Sequence, residues 1–169
     1  MSEFTSPTYG RIELKEVLEK IATKVTSKPD AEWILAIGTD SQNKGNKTSF
    51  CSTILLLEKG KGGIYFYNRE DKNRIPEVRF RMLTEAEMSI NLSKEVISAF
   101  EDMYLNEIFD FYDYDLVLEI HCDLGNNGKS CEAISAAIGW ITAEFGGKVV
   151  PKIKPESPAA SCVADKYTK

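Results

Sequence analysis

Trp33-Ile34-Leu35-Ala36-Ile37-Gly38-Thr39-Asp40 is an apolar run that ends on a carboxylate. Its length and its bounding turn residues predict a buried strand. An aspartate closing such a run costs free energy unless it is solvated, paired or metal-bound. Working outward, Asn43-Lys44-Gly45-Asn46 is a turn, residues 48–58 a second strand, Lys59-Gly60-Lys61-Gly62-Gly63 another turn, and residues 64–69 a third strand. Three strands joined by short turns make an antiparallel meander.

Upstream, Ile12, Val17, Leu18, Ile21 and Val25 recur at helical spacing, which predicts a helix over 11–26 ended by Ser27-Lys28-Pro29-Asp30. Downstream of the polar stretch 70–76 the period lengthens. Residues 78–108 read as a helix with Leu83, Ala86, Ile90, Ser93, Ile97 and Phe100 as its inner stripe. Residues 115–123 form a fourth strand, 129–145 a helix closed by Gly146-Gly147, 148–153 a fifth strand, and 158–169 a short last helix capped by Ser157. The order αβββαβαβα predicts an α/β fold: a mixed five-stranded sheet in which strands 1–3 form an antiparallel meander and strands 4 and 5 run parallel. Helices pack on this sheet, with an extra one at the N-terminus. The long helix supplies a right-handed crossover, so the first and fourth strands should be parallel neighbours.

A chain of 169 residues fits one domain. We expect a flexible leader over 1–10 and a single domain over 11–169. No apolar run is long enough to span a bilayer, and Met1–Gly10 lacks the charged start and apolar block of a secretory signal, so no membrane partner and a cytoplasmic location are expected. Cys51, Cys122, Cys131 and Cys162 form no C-x-x-C pair and His121 stands alone, which argues against zinc and for reduced thiols. The net charge of -5 excludes a generally basic nucleic-acid coat protein; binding to nucleic acid would be local, weak or metal-assisted.

Open sheets of this kind bind ligands beyond the carboxyl ends of their strands. Asp40 and Asp123 fall at or near those ends on two strands expected to be neighbours. Either could be a turn-forming residue. Two together would repel, and a divalent cation would remove that penalty. Asp123-Leu124-Gly125-Asn126-Asn127-Gly128-Lys129-Ser130 lacks the four-residue gap of a P-loop, although the start of the following helix could still hold a phosphate. In the long helix, Glu85 and Glu87 lie on opposite flanks of the buried stripe, each about 100° from its centre, so only one can face the strand ends. Asp165, beside Lys166, reads by spacing as a surface residue. His121 shares a strand face with Glu119 and Asp123, where it could hydrogen-bond a carboxylate or move protons; a satisfied structural histidine is the plainer reading.

Three blocks together resemble the YkuK-type family of predicted ribonuclease H-related proteins. They are Ile37-Gly38-Thr39-Asp40-Ser41-Gln42, Ile120-His121-Cys122-Asp123-Leu124-Gly125, and Lys154-Pro155-Glu156-Ser157 with Ala159-Ala160 and Val163-Ala164-Asp165-Lys166. The resemblance covers about residues 10–169. It implies a ribonuclease H-like fold with acidic residues on the first strand, the helix after the meander, the end of the fourth strand and a late helix. These become Asp40, Glu85, Asp123 and Asp165, catalytic and metal-binding together. Glu85 is preferred to Glu87 because it occupies the flank used in related nucleases. Accessory roles would fall to His121, Ser41, Gln42 and Lys129. The implied activity is two-metal hydrolysis of RNA or an RNA–DNA hybrid with Mg2+ or Mn2+, since the ligands are hard oxygens. The alternatives are a non-catalytic nucleic-acid- or protein-binding domain of the same fold, and an ATPase of the sugar-kinase and actin type, which normally needs two such domains.

Overall fold

The computed structural model describes residues 2–122, 136, 138–141, 143, 150–152 and 165–168. The apolar run becomes β3 (Trp33–Lys44), which pairs in antiparallel register with β4 (Lys47–Glu58), itself antiparallel to β5 (Gly62–Asn73). The β3–β4 turn is tight, with Lys44 paired to Lys47, and Gly45 takes a φ of 58° that a side chain would disfavour. β6 (Leu116–Cys122) lies parallel to β3 on its other side, from Trp33↔Leu116 to Thr39↔Cys122, and β7 (Val150–Lys152) lies parallel to β6. The expected meander and the expected parallel neighbours are therefore present.

Among the described residues the sheet has seven strands, not five, in the order β2-β1-β5-β4-β3-β6-β7. The additional pair corrects the expectation of a loose leader. β1 (Glu3–Ser6) and β2 (Gly10–Glu13) form a hairpin that joins the β5 edge at Thr5↔Tyr67. Phe4 is buried in the core, and Tyr9 stacks on Phe66 with ring centroids 5.9 Å apart. Helix α1 (Leu14–Thr26) consequently starts later than expected, and Ile12 belongs to β2. Glu16 accepts a hydrogen bond from the Glu13 backbone N–H at 3.1 Å, satisfying a group at the helix start.

Two further boundaries move. β3 runs on past Asp40 to Lys44, and β5 continues to Asn73 through part of the stretch expected to be irregular. In both, ladder hydrogen bonding to β4 outweighs the weak strand propensity of Asn, Asp and Lys. Helix α2 (Val78–Leu105) matches its expected start and ends somewhat earlier. Residues 136, 138–141 and 143 are helical, and Asp165–Thr168 form a helical turn. The rest of the segments expected to form two late helices, including Ser157 and Gly146-Gly147, lies outside the described residues.

The main core lies between one sheet face and helices α1 and α2. It includes Val17, Leu18, Ile21 and Val25 of α1, Leu35 and Ile37 of β3, Ile54 and Leu56 of β4, Phe66 of β5, and Ala86, Ile90, Val96 and Phe100 of α2. Burying each Val, Leu or Ile is worth about 1.5–3 kcal/mol. The other face carries a smaller cluster around Ala36 and Leu55, with Ile34, Leu57 and Tyr65 against it. The expected α2 stripe holds at Ala86, Ile90, Ser93 and Phe100, while Leu83 and Ile97 are half-buried. Among the described residues no helix is long and apolar enough to cross a membrane.

Candidate functional site

Pairing of β3 with β6 stops at Thr39↔Cys122, and the next residue of β3 is Asp40. On its other side Asp40 faces Cys51 of β4, which in turn faces Arg69 of β5. Strand alternation puts Gly38 and Asp40 on one sheet face and Thr39 and Ser41 on the face covered by α2. Asp40 thus lies within β3, where the parallel ladder ends, and not at the strand terminus.

Asp40 is buried. The Thr168 hydroxyl donates to its Oδ2 at 3.2 Å. Thr168 is brought there by an aromatic clamp: Tyr167 stacks on Tyr67 with centroids 3.7 Å apart, and its hydroxyl lies 2.7 Å from that of Tyr65. Tyr65 and Tyr67 alternate with the core residue Phe66 along β5, so both face away from α1 and α2.

From the opposite face α2 delivers Glu85, which is buried, while Glu87 is exposed. The Ser41 hydroxyl donates to Glu85 Oε1 at 2.5 Å. One turn on, the Ser89 hydroxyl lies 3.0 Å from Thr39 Oγ1 and 3.0 Å from the Glu85 carbonyl oxygen, and Thr39 Oγ1 lies 2.9 Å from Ser52 Oγ. These buried hydroxyls satisfy one another beneath the carboxyl. Burial pushes the Glu85 pKa up to about 8; the Ser41 hydrogen bond opposes the rise, the negative charge of Asp40 adds to it, and Arg81 opposes it. Arg81 sits one turn before Glu85 on the same helix face.

The two carboxylates therefore approach the end of the parallel ladder from opposite faces, with Ser41 next to Asp40 in the chain and hydrogen-bonded to Glu85. Both offer hard oxygen donors, the type that Mg2+ and Mn2+ accept. A buried carboxyl whose proton is held by burial and by a neighbouring anion is also one that a cation would ionise. Asp123 follows Cys122 in the chain and lies outside the described residues, as does Lys129. Asp165 opens the terminal helical turn, and its side chain is likewise outside them. Among the described residues no group of three or more His, Cys, Asp or Glu is placed to hold a metal. Of the expected accessory residues, Ser41 is engaged with Glu85, and Gln42 is exposed. His121 is buried, with its Nε2 2.7 Å from Glu119 Oε2.

Cys51 and Cys122 are free, buried thiols, each pushed up to about 12 by burial, so neither is a nucleophile at neutral pH. Sequence reasoning missed Thr168, the two tyrosines beneath Tyr167, and Arg81. The spacing of Arg81 four residues before Glu85 and the alternation of Tyr65 and Tyr67 were readable signals. Thr168 had none, because its role depends on a contact across the molecule.

The model of the Ribonuclease H-like family matches residues 16–169. The chain is 28% identical to the uncharacterized protein YkuK of Bacillus subtilis (strain 168), over 98% of this chain and 96% of that protein. The crystal structure of RNase H1 from the halophilic archaeon Halobacterium salinarum NRC-1 aligns over 79% of this chain and 96% of its own, with 14% identity and a TM-score of 0.35.

Proposed function

Because the chain belongs to the Ribonuclease H-like family, we propose that it is a metal-dependent nuclease that hydrolyses phosphodiester bonds in RNA or an RNA–DNA hybrid. Asp40, Glu85, Asp123 and Asp165 are its ligands for Mg2+ or Mn2+. The observation that carries this reading is the approach of two buried carboxylates, Asp40 from the sheet and Glu85 from α2, at the end of the parallel ladder.

Chain connectivity supports the other two. Asp123 directly follows Cys122 in the chain, Cys122 is paired with Thr39, and Asp40 directly follows Thr39; consecutive Cα atoms are about 3.8 Å apart. Asp165 lies three residues, about one helical turn, before Thr168, whose hydroxyl reaches Asp40. Bound Mg2+ or Mn2+ would supply Lewis acidity and a water of lowered pKa. The residues supply the rest. Ser41 orients Glu85 and Thr168 orients Asp40; Glu85 would hold an ion as the carboxylate, its proton passing to solvent.

Purified protein with Mn2+ or Mg2+ is expected to cleave a labelled RNA or RNA–DNA hybrid, and D40N or E85Q to lower the rate by orders of magnitude. Absence of cleavage across single-stranded, double-stranded and hybrid substrates, or cleavage that survives D40N, would overturn the reading. One observation favours the alternative, a non-catalytic nucleic-acid- or protein-binding domain: both carboxylates already have hydroxyl partners. That alternative expects binding without cleavage, unchanged in D40N.

A further inference from the structure

Beyond its N-cap Glu77, helix α2 is charged against its own dipole. Its first turn holds no acidic residue and its last turn no basic one, the reverse of the arrangement that stabilises helix ends. Arg79 and Arg81 stand at its start, and Glu101 and Asp102 near its end. From 101 to 115 the chain carries Glu101, Asp102, Glu107, Asp110, Asp113 and Asp115 and no lysine, arginine or histidine.

The same stretch exposes apolar surface. Tyr104 is 58% exposed, Leu105 75%, Ile108 66% and Tyr112 82%. Between the end of α2 and the short 3-10 turn Phe111–Asp113 opens a groove of about 360 Å³. Its floor is Ile97, Phe100 and Leu118, its aromatic wall includes Tyr104 and Tyr112, and Glu101 and Asp110 stand on its rim. Tyr104 lies 19 residues beyond Glu85, about 28 Å along the helix axis, so the groove is separate from the carboxylate pair.

We propose that this groove docks a basic polypeptide segment of another protein, one that inserts an aliphatic side chain between Tyr104 and Tyr112 and sets lysines or arginines against the carboxylate rim. Charge selects the occupant. A nucleic-acid strand would bring phosphates against the carboxylates. A second copy meeting this one through a two-fold axis would set the same acidic rim against itself. A basic partner instead relieves the carboxylates crowded at the negative end of α2, and its cations can also lie over the tyrosine rings. Aromatic anchors within a polar rim are the usual make-up of a protein-binding surface.

The test uses a helical Lys/Leu peptide of about 16 residues with one apolar face, and its Glu/Leu counterpart. Binding is read by fluorescence anisotropy at low and high salt. The Lys/Leu peptide is expected to bind, and the Glu/Leu peptide not. E101K/D113K and Y112A should each weaken binding by about tenfold or more. All three positions are exposed, so folding is preserved. E19K/D30K makes the same charge change at exposed positions elsewhere and should leave binding near the parent value. Equal binding of both peptides, or equal weakening by E19K/D30K, would overturn the proposal. So would a dimer in sedimentation that Y112A dissociates, since that would make a second copy the occupant.

Discussion

Glu85 is buried in a helix face beside a second carboxylate, and its environment resists ionisation more than Ser41 and Arg81 favour it. The consequence for stability has a definite sign. An unfolded chain loses this proton near 4.5, whereas the folded one keeps it to about 8. Between those values the folded state holds the extra proton, so its stability falls as pH rises, by roughly 1.4 kcal/mol per unit. Below the window the contribution is level; above it the full penalty stands. In EDTA, E85Q should therefore be about as stable as the parent near pH 4.5 and more stable at pH 8, by on the order of a few kcal/mol. Urea melts of both proteins across this range measure the difference directly. A mutant that loses stability equally at both ends would show that Glu85 is ionised and structurally required.

At the scale of elements, the end of α2 is built as a Schellman turn on an unfavourable residue. The Ile108 N–H donates to the Met103 carbonyl oxygen at 2.9 Å and the Glu107 N–H to that of Tyr104 at 3.0 Å. The motif requires a left-handed residue after the cap, and Glu107 has φ 55°. Glycine adopts this conformation without the Cβ penalty. E107G should stabilise the protein by about 0.5–1 kcal/mol, read as a higher denaturation midpoint with an unchanged slope. A loss of stability would mean that the Glu107 side chain makes an interaction worth more than the strain. The same end of α2 carries the acidic, aromatic groove, so a residue kept here at a cost to the helix agrees with a surface shaped for a partner.

Across the whole molecule, Asp40 is where the sheet and the terminal turn meet, with Glu85 of α2 opposite. Any cation bound there couples to global unfolding. At a free concentration 100 times its dissociation constant, one ion adds about 2.7 kcal/mol, a melting shift on the order of several degrees for a domain of this size. D40N removes a charge that opposes Glu85 ionisation while keeping an oxygen for Thr168. The mutant should melt at or above the parent temperature in EDTA and gain much less from Mn2+. Thermal melts of both proteins with EDTA and with Mn2+ check this. A mutant that is less stable in every condition, with the parent's full response to Mn2+, would mark Asp40 as a purely structural residue.

The sequence alone determined the meander, the two amphipathic helices that cover it and the parallel placement of β3 and β6. The meander and the helices follow from local periodicity and from turns rich in glycine and asparagine, and the parallel pairing follows from the right-handed crossover that the long helix between the two strands supplies. It also singled out Asp40, because a carboxylate closing an apolar run is a local anomaly. The inward face of Glu85 could be narrowed from helical geometry to one of two flanks, and the resemblance chose between them. The N-terminal hairpin, the overrun of β3 past Asp40, the hydroxyl network under Glu85 and the Thr168–Asp40 bond were decided only by the tertiary structure. Glu3–Ser6 is too short to announce itself as a strand; it becomes one because β5 offers an edge and the core accepts Phe4. Thr168 and Asp40 are 128 residues apart in the chain. No local pattern encodes a contact of that separation, which exists because Tyr167 stacks against β5 and leaves the next hydroxyl at the carboxylate.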